Sequence, residues 1–332
     1  MRRAWLFTLV PILTVVFATA VLTRGGASPL AKAAAGSGNS VGGARARPSS
    51  AASGNFTGEV PIGGGRKLYL RCAGRGSPTV ILESGIHDSS DTWILTDTRP
   101  PVPSSPSVFL GVARFTHVCI YDRPGTIRYT NRPALTRRST PTRMPRTLRG
   151  MVSDLHALLR SARVPGPYVL AGHSFGGLIV RLFAQSYRSE TAGLVFVDAF
   201  GVNIRKLFGP RLWPRYARLL NYPGTPLQNQ SGFETVDVDG AIKAVQDARP
   251  LPRVPLAVLS KTEPFATAPG VPKDLTTKLE QVWPRVQRAL VELEPQTPQV
   301  LATGSDHYVQ VHDPDLTTSI IRLIFDRVRH QD

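Results

Sequence analysis

The run YVLAGHSFGGLIV, residues 168–180, constrains the fold of this chain more than any other segment. An apolar, strand-like stretch from Tyr168 to Ala171 passes directly into Gly172-His173-Ser174-Phe175-Gly176. A helix-like stretch from Leu178 to Ser186 follows at once. A backbone that turns so sharply from strand to helix leaves no room for bulky side chains two residues either side of the bend. Gly172 and Gly176 occupy those two positions. Such a turn holds Ser174 in a strained conformation, with its hydroxyl presented at the end of a sheet.

The chain has 332 residues and is 42% hydrophobic, enough for one large domain with a buried core. The formal net charge is +17. The first 35 residues hold only Arg2, Arg3, Arg24 and Lys32 and no acid, so the remainder is basic as well. Arg123, Arg128, Arg132, Arg137, Arg138, Arg143, Arg146 and Arg149 crowd one stretch. That stretch reads as a solvated loop, or as a patch for an anionic envelope surface. No interleaved aromatics or nucleic-acid motif accompany it, so no nucleic-acid partner is expected.

Residues 1–23 have the form of an export signal: a charged Met1-Arg2-Arg3 start, an uncharged apolar run from Leu6 to Leu22, then small residues. Cleavage near Ala20 or Ala33 fits the small-x-small pattern, and the apolar run is also close to the length of a retained membrane anchor. The expected location is secreted or envelope-associated. Residues 24–55, rich in Gly, Ala and Ser, read as a disordered linker. From Phe56 onward, strands alternate with helices. FTGEVPIGGGRKLYLRC reads as a hairpin, and PTVILE, HVCIYD, YVLAG, GLVFVDA, PLAVLS and TPQVLA as further strands. Helical spacing marks 147–160, 276–293 and 316–328. The alternation predicts an α/β fold with a mainly parallel, doubly wound sheet and helices on both faces.

The strand–G-x-S-x-G–helix arrangement resembles the nucleophile elbow of the α/β-hydrolase family, in its serine-nucleophile, esterase- and lipase-like branch. DRPG at 122–125 resembles that family's DRxGxG landmark, with Ile127 in place of the second glycine. The resemblance covers about residues 56–330. It implies a sheet of about eight strands, with a small helical cap inserted at about 200–253, where Phe208, Trp213, Tyr216, Tyr222 and Phe233 fall. It also makes the strands carrying Cys72 and Cys119, the only two cysteines, neighbours that can form a disulfide.

A serine hydroxyl needs a base to take its proton and a third group to orient that base. Of seven histidines, His307 lies in GSDHYV after the last strand, where the family carries its catalytic histidine; His312 is the local competitor. For the acid, Glu263 in KTEP is preferred, with Asp198 at the end of LVFVDA as the alternative. Asp306, beside His307, reads as a loop cap. The oxyanion hole is expected from the backbone N–H groups of Phe175 and Ile86. Asp122 and Arg123 read as structural ties near the site. No metal-ligand spacing or phosphate loop is found, and no cofactor is expected. The function implied is ester hydrolysis through an acyl-enzyme, with a small-molecule or lipid-like ester as substrate. A peptidase, acyltransferase or thioesterase on the same fold is an alternative, as is a non-catalytic envelope-tethered binding module.

Overall fold

The computed structural model describes residues 54–97, 106–129, 132–268 and 270–330. The export signal or anchor at 1–23, nearly all of the linker at 24–55, and most of the Pro-rich loop at 98–107 lie outside the described residues. No helix among the described residues is long and apolar enough to cross a membrane.

The strands are β1 (Phe56–Gly63), β2 (Arg66–Ala73), β3 (Thr79–Glu83), β4 (Val118–Tyr121), β5 (Ile127–Arg128), β6 (Ala134–Leu135), β7 (Tyr168–His173), β8 (Thr191–Val197), β9 (Leu256–Lys261) and β10 (Gln299–Ala302). Eight of them form one sheet in the order β1-β2-β4-β3-β7-β8-β9-β10, and β5 pairs with β6 separately. Only β2 runs against the rest of the large sheet. The helices are α1 (Val108–Ala113), α2 (Leu148–Ser161), α3 (Gly176–Ser186), α4 (Ile204–Phe208), α5 (Trp213–Asn221), α6 (Val238–Gln246), α7 (Lys273–Val291), α8 (Val309–His312) and α9 (Pro314–Arg329).

Parallel strands covered on both faces are apolar throughout, because successive side chains point to opposite sides. Ile81, Leu170, Phe196 and Val258 point to the face covered by α2, α3 and α7, where Leu155, Phe183 and Val286 meet them. Their strand neighbours Val80, Val169, Val195 and Ala257 point to the other face, against Phe109 of α1 and Ile321 and Ile324 of α9. Helix α2 begins where the spacing placed it, with the Thr147 hydroxyl accepting from the Gly150 N–H.

Between β8 and β9 the chain makes the long excursion that carries α4, α5 and α6. Its aromatics mostly pack among themselves. Phe208 stacks on Tyr216, and Trp213 lies edge-on to Phe208. Tyr222 is exposed.

The arginine-rich stretch is neither a bare solvated loop nor a bare cationic patch. Arg123 and Arg146 are buried, and with Arg128 and Arg138 they pair with the interior carboxylates of Glu83, Glu234, Asp154, Asp91 and Asp122. Arg137, Arg143 and Arg149 are exposed. Asp122 accepts from Ser90, Thr136 and Arg138, so the loop is sewn to the domain from inside.

Cys72 and Cys119 face each other across the β2–β4 ladder and form a disulfide, with 4.1 Å between Cα atoms. His117 Nε2 lies 4.0 Å from the Cys119 sulfur, a close group of metal-type ligands, but its two sulfurs are bonded to each other. The disulfide closes a sequence separation of 47 residues. Replacing both cysteines with alanine is expected to lower the free energy of unfolding in urea by about 2–4 kcal/mol, with the native fold retained. An unchanged urea midpoint would show that the bridge does not form.

Candidate active site

The C-terminal ends of the parallel strands lie at one edge of the sheet, and loops from β3, β7, β8 and β10 converge there. Ser174 follows β7 at φ +51°, and its N–H donates to the Val197 carbonyl of β8 at 3.2 Å. A left-handed backbone at a non-glycine residue persists only where its surroundings impose it. A Cβ on Gly172 would lie 2.7 Å from the Gly176 carbonyl oxygen, and one on Gly176 would lie 2.7 Å from the Ser84 carbonyl oxygen. Both glycines are therefore required by close backbone approach, as the tight turn implied.

The structure brings Ser174 and His307 together. Ser174 Oγ lies 2.9 Å from His307 Nε2, and His307 Nδ1 lies 2.6 Å from Asp198 Oδ2. An ionised carboxylate only accepts, so Nδ1 carries the proton and Nε2 offers its lone pair to the serine hydroxyl. All three residues are buried, with Ser174 the most open at 8%. The imidazole is boxed by rings: Phe265 at 4.8 Å, Trp283 at 5.5 Å and His173 at 4.7 Å between centroids. His312, the competing base, instead lies 3.0 Å from Asp306, which also accepts from the Tyr308 N–H as a loop cap would.

Of the two candidate acids, the preferred Glu263 does not meet His307, whereas the alternative, Asp198, does. His173 of β7 is in register with Val197 of β8, so the residues that follow them, Ser174 and Asp198, leave the sheet side by side. Asp198 sits at φ +40° and also accepts from the Trp283 indole N–H at 2.8 Å and the Lys261 N–H at 3.2 Å. Glu263 lies beyond the end of β9 and is exposed; among the described residues its carboxylate accepts only from the Thr262 hydroxyl. Its main chain still serves the site, since its N–H donates to the Ser305 carbonyl in the loop that carries His307.

On the other side of Ser174 the β3 loop runs Ser84-Gly85-Ile86-His87-Asp88. A Cβ on Gly85 would lie 3.2 Å from Ser174 Cβ, so this loop passes directly beside the serine. The N–H groups of Ile86 and Phe175 have no acceptor among the described residues. Two unengaged donors flanking a serine hydroxyl can receive a developing negative charge on oxygen.

Arg123 is a structural tie near the site, as its sequence position suggested, but sequence reasoning missed the buried carboxylates it holds under this loop. Arg123 joins Glu83 at 2.5 Å and Glu234 at 2.8 Å. Burial raises Glu83 despite Arg123 and the Tyr121 hydroxyl. Burial also pushes Glu234 upward, but the Arg123 guanidinium outweighs it and holds that carboxyl below its ordinary value. One signal was available: Glu83 directly follows the apolar run Val80-Ile81-Leu82, where a carboxylate needs a buried partner.

Asp88 was also missed. It accepts a hydrogen bond from the Tyr129 hydroxyl and lies 4.0 Å from His173 Nδ1. His173 donates from Nε2 to the His307 carbonyl at 2.9 Å, which leaves its Nδ1 as a buried lone pair without a hydrogen-bond partner among the described residues. Burial lowers the His173 pKa well below its usual value, with the nearby His307 adding to the effect.

The family model described as "Alpha/beta hydrolase family" matches residues 76–319. The chain belongs to the alpha/beta hydrolase family. Among curated relatives, the uncharacterized protein YqjL of Bacillus subtilis is 27% identical over 248 residues, covering 73% of this chain and 81% of that protein. An uncharacterized protein of Schizosaccharomyces pombe is 32% identical over 158 residues, which is 42% of this chain and only 27% of the yeast protein. A solved thermophilic esterase from Thermogutta terrifontis superposes with a TM-score of 0.50 at 18% identity, covering 82% of this chain and 99% of that one. That likeness carries the fold.

Within this hydrolase, Asp88 has a measurable signature. Burial pushes its carboxyl up to about 6 from an ordinary 3.8, against the pull of the Tyr129 hydroxyl and of Arg123. The folded state then binds the proton more tightly than the unfolded chain, so the stability this group contributes is full below pH 3.8 and lost as pH rises through 6. Asp88→Asn is expected to melt a few degrees above the wild type at pH 8, with the gap closing by about pH 4. Equal melting temperatures across that range would show that Asp88 carries no buried charge.

Proposed function

We propose that this hydrolase is an exported serine esterase. The observation that carries the reading is the continuous hydrogen-bonded line from Ser174 Oγ through His307 to Asp198. In this reading Ser174 Oγ attacks the ester carbonyl carbon while His307 Nε2 takes its proton. Asp198 keeps the other nitrogen protonated and steadies the imidazolium that forms. The carbonyl oxygen, now negative, is received by the N–H groups of Phe175 and Ile86. His307 returns the proton to the departing alcohol, leaving an acyl group on Ser174. Water, deprotonated by the same imidazole, then releases the acid.

An ester is favoured because its leaving alcohol needs less activation than an amine. Phe175, Phe200, Phe265 and Trp283 are buried around the three residues, in keeping with an apolar acyl or aryl group on the substrate. Export is supported by the charged-then-apolar start of the sequence and by a disulfide, which persists in oxidising compartments. The alpha/beta hydrolase fold of the chain fits the reading.

Ser174→Ala is expected to abolish hydrolysis of short p-nitrophenyl esters and covalent labelling by a fluorophosphonate. Labelling of that variant at the wild-type rate would refute the assignment. Asp198→Asn is expected to lower kcat by roughly 10³- to 10⁴-fold, through the wrong imidazole tautomer, while Glu263→Gln stays within about twofold of the wild type. The reverse ranking would make Glu263 the acid after all.

A further inference from the structure

The Ile86 N–H shares its peptide group with the Gly85 carbonyl, and that carbonyl oxygen is held by Arg123 Nη2 at 2.6 Å. In a trans peptide the carbonyl and the N–H point in opposite directions, so fixing one aims the other. The neighbouring groups are fixed as well. Arg123 Nη1 donates to the Ser84 carbonyl at 3.0 Å, and the His87 N–H donates to Glu234 Oε2 at 2.7 Å. Glu234 in turn takes Arg123 Nε at 2.8 Å and Nη2 at 3.0 Å, a two-pronged pair. The guanidinium and the carboxylate therefore grip the chain on both sides of Ile86, and the Ile86 N–H is the donor they leave unengaged.

The side chains of the pair are at most 4% exposed, so neither charge is screened by water. A cation on a carbonyl oxygen polarises the whole peptide group and strengthens its N–H as a donor. Glu234 belongs to the excursion between β8 and β9, and the same excursion holds His87 by its side chain. His87 Nε2 donates to the Leu220 carbonyl at 2.7 Å, and its ring stacks on Phe233 at 4.5 Å. These ties fix His87 at φ +64°, a conformation it would otherwise avoid.

We propose that Arg123 and Glu234 are positioning residues that aim and polarise the Ile86 N–H, so that the excursion between β8 and β9 helps build the oxyanion hole. The inference rests on the serine-esterase reading. It predicts a loss confined to the transition state, because neither residue touches substrate.

The test uses full-length Glu234→Gln and Arg123→Lys with p-nitrophenyl acetate, and an alkyl trifluoromethyl ketone as the tetrahedral-adduct probe. Expected are a fall in kcat of about 10- to 100-fold, a KM within about threefold of the wild type, and ketone binding weakened by the same factor as kcat/KM. A merely structural role would not make the ketone constant track kcat/KM across the variants. Folded variants that keep kcat and ketone affinity within twofold overturn the proposal, as does a loss of kcat with ketone affinity unchanged. If those variants do not fold, Glu234→Asp carries the test, since it keeps the charge on Arg123 but falls one methylene short of the His87 N–H. Full activity in Glu234→Asp overturns the proposal, and a tenfold or greater loss that the ketone constant follows sustains it. A wild-type protein inert to ester and ketone alike would sink the esterase reading itself; an active wild type with indifferent variants sinks only this inference.

Discussion

The in-register pairing of β7 with β8 is the constraint from which the site is assembled. Because His173 lies opposite Val197, the two residues that leave the sheet next to each other are Ser174 and Asp198. Both stand at positive φ, so both strands break sharply at the same edge and turn their side chains into one space. His307 then needs only to reach in from β10 to lie between them. A shift of one residue in that pairing would send one side chain to the opposite face and leave the imidazole with a single partner.

Much of this architecture is legible in the sequence, because parallel strands buried on both faces read as unbroken apolar runs. YVLAG, GLVFV and LAVLS all occupy sheet positions. Helix α1 was not legible. VFLGVA is six residues long, follows a Pro- and Ser-rich run, and shows no periodicity that separates a buried helix from a strand. Ser174 and His307 are brought together as their positions after strands implied. The partner of His307 was harder, because Glu263 and Asp198 both follow strands. What separates them is the Trp283 indole, 85 residues away on α7, and the burial it creates around Asp198. No local pattern encodes that contact.

The arginines show the same limit from another side. Read as a string, Arg123 to Arg149 is a block of positive charge. In the folded molecule the carboxylates that neutralise much of it come from elsewhere: Glu83 from β3, Glu234 from the excursion, and Asp154 from α2. Burying such pairs stabilises little compared with well-packed apolar groups, yet removing one partner leaves an uncompensated charge. Their value here lies in direction. A guanidinium presents several donors in a fixed plane, and Arg123 uses that plane to hold two carbonyls and two carboxylates at once.

The bridge between Cys72 and Cys119 has a mechanical consequence. It joins β2, the one strand that runs against the others, to β4 inside the main sheet. The hairpin of β1 and β2 is also held by ladder hydrogen bonds to β4, by the Arg66–Asp154 pair with α2, and by Val60, Leu68 and Leu70 in the core. Tension applied to the chain ahead of Phe56 would travel along that hairpin and cross into the body of the molecule through a sulfur–sulfur bond. β2 therefore stays on β4 under load, and β1 is the strand left free to peel.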